Sequence, residues 1–328
     1  MDNYVVRRED KRAFMVDKMI SIAMATYNGE KYIREQLDSI LAQTFQNWEL
    51  IISDDSSTDS TVKIIEEYAN ADARIHVVKN ILQHGCAGNF ENALHYCTGK
   101  YIAFCDQDDV WTDDHIEYLL AIIGQKPCAF ANAEAVDSSL KSLNFFLGEK
   151  FMISEHHLKN ELFFHLIFLN FMQGTAVLFK RELLSFLPFP KGLFHDHWTA
   201  IAAVLNGGIA YSNKSILKYR QHENNTCGVM GHSLFYKIKH LNSEGVGRIT
   251  RYYAILQFVQ THSDLLPTEM KSYAENCLNA AYSILFQKSI FNFRKYYHII
   301  FWDSDRRKFW SRYLMYCVLF PVFRRKIK

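Results

Sequence analysis

Five polar clusters in this 328-residue chain carry side chains that can do chemistry. Asp106-Gln107-Asp108 places two carboxylates two residues apart behind an apolar run. Such a pair can share one hard, oxygen-liganded cation, Mg²⁺ or Mn²⁺, of the kind that bridges phosphates. The same residues also suit a solvated acidic turn leading into a helix near Asp113. Asp54-Asp55 ends a second apolar run, and a carboxylate there can accept a hydrogen bond from the imide N–H of a pyrimidine. The following Ser57, Thr58 and Asp59 read as a helix cap, with Ser57 or Thr58 as the capping residue. Thr26-Tyr27-Asn28-Gly29 offers backbone groups, a flat ring that can stack on a base, and a glycine; it is also simply a good turn. Asp196 stands among His195, His197 and Trp198. It can take a proton from a hydroxyl as a general base, or serve as the N-cap of the helix that follows. In the run 219–225, Arg220 can meet a phosphate and His222 can be a third metal ligand.

The elements that must position these clusters follow from hydrophobic period. Residues 19–25 (MISIAMA), 49–53, 75–78 and 101–105 are short apolar runs that read as strands. Residues 30–43, 58–68 and 88–97 have helical spacing. Strands alternating with helices imply a mainly parallel α/β sheet, in which ligands bind beyond the carboxyl ends of the strands. That topology gathers the first three clusters on one rim. Further on, 127–131, 174–180 and 216–220 read as strands, and 158–171 and 195–205 as helices. From about residue 233 onward, aromatic-rich helical segments dominate. The first eighteen residues have no clear period.

Composition narrows the class. A chain with 49% hydrophobic and 22% charged residues is globular rather than disordered. Net charge is only +2, which does not point to nucleic acid. From Arg294 to Lys328, however, ten basic residues face two acidic ones, so the rest of the chain carries −6. An acidic body with a basic, aromatic tail suggests contact with an anionic surface. The longest apolar stretch in that tail, 313–323, is shorter than the roughly 20 residues that span a bilayer. No secretory leader is evident, and seven cysteines without a CxxC pair fit reduced thiols. Neither GxGxxG nor GxxxxGK[ST] occurs, which disfavours dinucleotide and P-loop chemistry.

Together the clusters ISIAMATYNGEKYI, QTFQNWELIISDDSSTDST, GKYIAFCDQDDVW and FHDHW resemble glycosyltransferase family 2, over residues 19–228. DQDDVW, HDHW and YRQHENN look most like bacterial rhamnosyltransferases of polysaccharide assembly. The resemblance implies a GT-A fold, a Rossmann-like mixed sheet, with a C-terminal helical region. The resemblance sets a transferase domain at 19–228 (nucleotide half 19–125, acceptor half 126–228), leaving an extension at 1–18 and a helical region at 229–328 whose own basic and aromatic residues suit a membrane surface. Tyr27 and Asp55 would hold the donor's pyrimidine, with Thr26 and Asn28 in the same loop. Asp106 and Asp108 would match the family's DxD and bind Mn²⁺ or Mg²⁺, Asp108 most directly, with His222 near the diphosphate. Asp196 would be the catalytic base, and Gln173 and Gly174 would border the donor sugar. One departure is Ser56, where the family's DDGSTD has glycine.

The expectation is an inverting, metal-dependent glycosyltransferase. Its donor would be a nucleotide-diphosphate sugar, dTDP-L-rhamnose first and a UDP-hexose next. Its acceptor would be a glycan or lipid-linked glycan at the cytoplasmic face of the membrane. The alternatives are a sugar-1-phosphate nucleotidyltransferase, a non-catalytic nucleotide- or glycan-binding module, and a retaining transferase. No particular oligomeric state is implied.

Overall fold

The computed structural model describes residues 18–147, 172–190, 192–223, 225 and 254–266, with isolated positions as far as 279. The chain divides into two compact units. One comprises 1–189 and 194–230; the other comprises 190–193 and 231–328. In the second, residues 254–261 are helical, with Ile255, Leu256 and Val259 buried, followed by a 3₁₀ turn at Ser263–Leu265. The expected helix at 158–171, the N-terminal extension and the basic tail lie outside the described residues.

The first unit begins as alternating strands and helices. They are β1 (Ile20–Thr26), α1 (Ile33–Leu41), β2 (Trp48–Asp54), α2 (Thr61–Ala71), β3 (Ile75–Lys79), α3 (Cys86–Tyr96) and β4 (Tyr101–Asp106). β5 (Val110–Trp111), α4 (His115–Ile123), β6 (Cys128–Val136) and β7 (Ser142–Phe146) follow. After 172 come β8 (Val177–Lys180), α5 (His195–Leu205) and β9 (Ile209–Arg220). The nine strands form one sheet in the order β3-β2-β1-β4-β8-β6-β9-β5, with β7 on β6.

β3, β2, β1 and β4 are mutually parallel, as the alternation predicts. β8 runs antiparallel to β4 and to β6, so the sheet is mixed rather than mainly parallel. β1, β2 and β4 are buried along nearly their whole length, which matches their continuous apolar sequences. Ile33, Leu37 and Ile40 of α1 and Ile64 and Ile65 of α2 belong to the same core as Ile22, Leu50 and Ala103. At 12 residues β9 is longer than the expected 216–220. Its polar first half pairs with β6 in parallel, Cys128 opposite Ile209. β5 and β7 have too few residues with a clear alternation to be read in advance.

A buried aromatic pair anchors the turn after β5. The Trp111 indole stacks flat on His115, with centroids 3.9 Å apart. His115 Nδ1 lies 3.0 Å from the Ile216 carbonyl oxygen of β9. Burial pushes the His115 pKa down to about 3, so the ring is neutral. Cys97, Cys105 and Cys128 are buried free thiols, and burial raises Cys97 to about 12; Cys86, the first residue of α3, is half-buried. Among the described residues no helix is long and apolar enough to cross a membrane.

Candidate active site

Register places the acidic strand ends side by side. Thr26 is opposite Asp54 across β1 and β2, and Ala25 is opposite Asp106 across β1 and β4. The loops leaving β1 and β2 are joined by polar bonds. Asp54 closes its own turn, accepting from Thr26 Oγ1 (2.8 Å), Ser57 N (2.8 Å) and Ser57 Oγ (2.6 Å). Asn28 Oδ1 accepts from Thr58 N at 2.8 Å, and Asn28 N donates to Ser57 Oγ at 2.9 Å. Gly29 N donates to Thr61 Oγ1 at 2.7 Å. Asn28 and Ser56 both adopt left-handed backbone, φ +48° and +68°. Ser56 therefore keeps the conformation that glycine would adopt without cost. Above this scaffold the Tyr27 side chain is 56% exposed.

The helix cap differs from the expected Ser57 or Thr58. α2 starts at Thr61 with Ser60 at the N-cap position and no side-chain cap bond from it; Asp59, one residue earlier, accepts the Thr61 amide at 2.9 Å and its hydroxyl as well. Burial alone would raise the Asp59 pKa, but the bonds from Thr61 and Glu30 N outweigh it and lower it.

Asp55 is 9% exposed and is tied to the loop before α3. Its carboxylate accepts from Gly85 N (2.7 Å) and Asn80 Nδ2 (2.8 Å), and His84 Nδ1 lies 2.6 Å away. Burial opposes ionisation here, yet the bonds from Gly85, Asn80 and His84 together hold the pKa below the usual carboxylate value. Gly85 donates its amide with φ +104°, a backbone state that favours glycine. From α3, Asn89 Nδ2 donates to Thr26 O (3.0 Å) and Asn92 Nδ2 to Ser53 Oγ (2.8 Å). Asn80, His84, Gly85, Asn89 and Asn92 were not singled out from the sequence. The available signal was two asparagines, i and i+3, on the face of α3 that also buries Phe90, Ala93 and Leu94.

The second acidic set follows β4. Burial, then the nearby Asp108 and Asp196 carboxylates, push the Asp106 pKa well above the ordinary range. Asp109 is fully buried, accepting from Thr175 Oγ1 (2.8 Å) and Arg220 N (3.0 Å). Burial, Asp108 and Asp106 raise its pKa despite those two bonds. Asp108 Oδ2 lies 2.8 Å from His222 Nε2, and the His222 ring packs 4.9 Å from Tyr32. Gln107 reaches back to the first loop: Tyr27 N donates to its Oε1 at 2.9 Å, and its Nε2 donates to Tyr27 O at 3.0 Å.

Arg220 is a correction. Expected to meet a phosphate, it is 1% exposed and its donors are already engaged. Nε donates to Asp108 O (2.7 Å), one terminal nitrogen to Ser138 O (2.8 Å) and the other to Glu35. The guanidinium also lies 4.5 Å from the Tyr32 ring centroid. It braces the acidic loop from beneath.

Asp196 is not the helix N-cap. Phe194 holds that position with extended backbone, and Asp196 lies in the first turn of α5, accepting from His197 N at 2.6 Å. Its charge acts on Asp106. Gln173 and Gly174 lead into β8 beside it. A Cβ on Gly174 would fall 2.3 Å from His195 Nε2, so only glycine fits there. The His195 ring is itself fixed against Phe90 and Phe104 at 3.9 and 4.7 Å. Burial drops its pKa to about 3.

The structure thus groups Thr26, Tyr27, Asn28 and Asp55 in one set, and Asp106, Asp108, Asp196 and His222 in another with Gln173 and Gly174 alongside. Asp106, Asp108 and His222 were expected to form one ligand set. Instead, among the described residues no three His, Cys, Asp or Glu side chains are arranged to hold a metal ion. His222 is paired with Asp108 directly.

Residues 21–187, just over half the chain, match the family described as glycosyl transferase family 2. The chain belongs to that family. The enzyme is therefore a glycosyltransferase, and its mixed sheet with flanking helices is the GT-A fold. It is 31% identical over 211 residues to the Escherichia coli UDP-Glc:alpha-D-GlcNAc-diphosphoundecaprenol beta-1,3-glucosyltransferase WfgD, covering 63% of this transferase and 78% of that protein. It is 31% identical over 222 residues to the dTDP-rhamnosyl transferase RfbG of Shigella flexneri, covering 62% and 73%. Among other curated relatives the chain covers 45% of the teichuronic acid biosynthesis glycosyltransferase TuaG of Bacillus subtilis and as little as 31% of the glycosyltransferase GlyA of Streptococcus pneumoniae. The crystal structure of S. aureus TarS 1-349 in complex with UDP-GlcNAc superposes with a TM-score of 0.54 at 18% identity, covering 90% of this chain and 79% of that one.

Proposed function

We propose that this transferase moves a sugar, with inversion, from a nucleoside-diphosphate donor to a glycan or lipid-linked glycan in bacterial surface polysaccharide synthesis. dTDP-L-rhamnose is the favoured donor and a UDP-hexose the next; the named activities of RfbG and WfgD support these two in turn. The observation that carries the reading is the placement of Asp196, in the first turn of α5, within electrostatic reach of Asp106 on the rim that also bears Tyr27 and Asp55.

Tyr27 presents an exposed ring for a base to stack on. Asp55 uses three of its roughly four acceptor sites on Gly85, Asn80 and His84. One remains for a pyrimidine imide N–H, and the lowered pKa keeps the group an acceptor. Thr26 and Asn28 shape this loop, and Gln173 and Gly174 border the sugar. Asp196 takes the acceptor hydroxyl's proton as that oxygen attacks the anomeric carbon from the face opposite the leaving group.

The carboxylates of Asp106 and Asp108 fit a divalent cation chemically. They are hard oxygen donors that repel one another, and the Arg220 guanidinium engages the Asp108 carbonyl and Glu35 rather than them. Bound Mn²⁺ or Mg²⁺ would neutralise charge developing on the departing diphosphate. His222, beside Asp108, is suited to orient that carboxylate. The acceptor would meet the enzyme at the cytoplasmic membrane face, with the basic, aromatic residues 294–328 lying on anionic lipid. Flotation of the full chain, but not of a folded form ending near 292, on anionic vesicles is the expected result.

The central test is a thermal-shift screen of UDP, dTDP and GDP and their sugars with each metal, followed by NMR of the product's anomeric centre. A pyrimidine nucleotide should give the largest shift and the product should be inverted. Asp196→Asn should lower turnover about 10²–10⁴-fold with nucleotide affinity within about twofold. Consumption of a sugar-1-phosphate with release of pyrophosphate would overturn the reading.

A further inference from the structure

Backbone pairing between β1 and β4 stops at Ala25 and Asp106. Beyond it, the Gln107 carboxamide continues the pairing with a side chain. It accepts from Tyr27 N at 2.9 Å and donates to Tyr27 O at 3.0 Å. Both hydrogen-bonding groups of one residue are thus held by one planar amide. That residue's ring stands over the first loop, while Gln107 itself lies between Asp106 and Asp108. Gly29 makes room for the contact: a Cβ there would meet Gln107 Oε1 at 2.2 Å and Cδ at 2.5 Å. Gly29 is not among the residues with left-handed backbone, so space alone opposes a side chain at that position.

We propose that Gln107 is a positioning residue that couples the base-binding loop to the carboxylate loop, so that nucleotide and divalent cation each favour the other's binding. The inference rests on the donor-site reading above. If a base stacks on Tyr27, the Tyr27 peptide settles, and through two hydrogen bonds so does the residue between the two carboxylates. The converse follows by thermodynamic reciprocity. The carboxamide touches neither base nor diphosphate in this role. Its loss should therefore leave each ligand able to bind alone and weaken mainly their mutual enhancement.

The test is calorimetric titration of UDP and of dTDP into the full chain, with and without Mn²⁺. Wild type is compared with Gln107→Met, which keeps the length but neither hydrogen bond, and with Gly29→Ala, which disturbs the contact from the other side. The expected result is enhancement by Mn²⁺ in wild type and a roughly tenfold smaller enhancement in both variants, as two neutral hydrogen bonds allow. The single variant Gln107→Ala and the double variant Gly29→Ala/Gln107→Ala complete a cycle. With the carboxamide gone, the added methyl has room, so Gly29→Ala should cost far less stability there than in wild type. If both single variants keep the wild-type enhancement, the coupling is wrong while the donor site stands. If wild type binds neither nucleotide under any condition, the donor-site reading itself fails and the coupling with it. Equal stability costs of Gly29→Ala in the two backgrounds would also overturn the proposal.

Discussion

Two sets of aspartates share one edge of the sheet and live under opposite rules. Asp54, Asp55 and Asp59 sit among Ser, Thr, Asn and Gly, and each collects hydrogen bonds from those neighbours. The pKa values of Asp55 and Asp59 fall below the ordinary value. Asp106 and Asp109 follow an apolar strand, and Asp109 draws its hydrogen bonds from residues far along the chain. Their pKa values rise because burial and mutual repulsion exceed those bonds. One set is a finished scaffold that holds anions comfortably. The other crowds carboxylates together at the cost of their ionisation, and the loop that carries them is braced by Arg220.

The largest effect on stability should come from removing that brace. Arg220→Met leaves Asp108 O and Ser138 O without their donor in a buried setting, and should lower unfolding free energy by about 3 kcal/mol in urea titrations. The Glu35 partner is half exposed, so its share of the loss is small. Asp55→Asn probes the other set. It should cost about 1–2 kcal/mol at pH 7, because an amide cannot accept from all three partners. The Asp55 pKa is lower in the folded state than in the unfolded chain. The wild-type advantage should therefore be full above pH of about 4 and vanish as pH falls through the lower, folded value, so the two stability curves should converge in acid. The smallest effect is expected at Ser56. Replacing it with glycine relieves a left-handed backbone but loosens the unfolded chain, for a net gain of about 0.5 kcal/mol, readable as a small rise in melting temperature.

Much of this arrangement was legible in sequence. MISIAMA, ELIIS and YIAFC are apolar runs whose burial on both faces admits few readings but strand, and β1, β2 and β4 lie there. The start of α5 at His195 was also readable, but not which residue caps it. An aspartate at a helix start suggests a cap, whereas its actual place, two residues after Phe194, depends on where the chain enters from. Arg220 could not be read correctly because its burial depends on Glu35 and Ser138, 185 and 82 residues away. Gln107 looked like a spacer between two carboxylates. Its role depends on register between β1 and β4, which no local pattern specifies. The loop at 80–85 was passed over because its polar residues lack any period.

The thiols have a practical consequence. Of the four described cysteines, three are sealed inside the sheet or against it, and Cys86 alone is not buried. It follows Gly85, whose amide holds Asp55. Among those four, a thiol-directed fluorophore would thus select a natural attachment point next to the loop that holds Asp55, giving an optical reporter of changes there without an introduced residue.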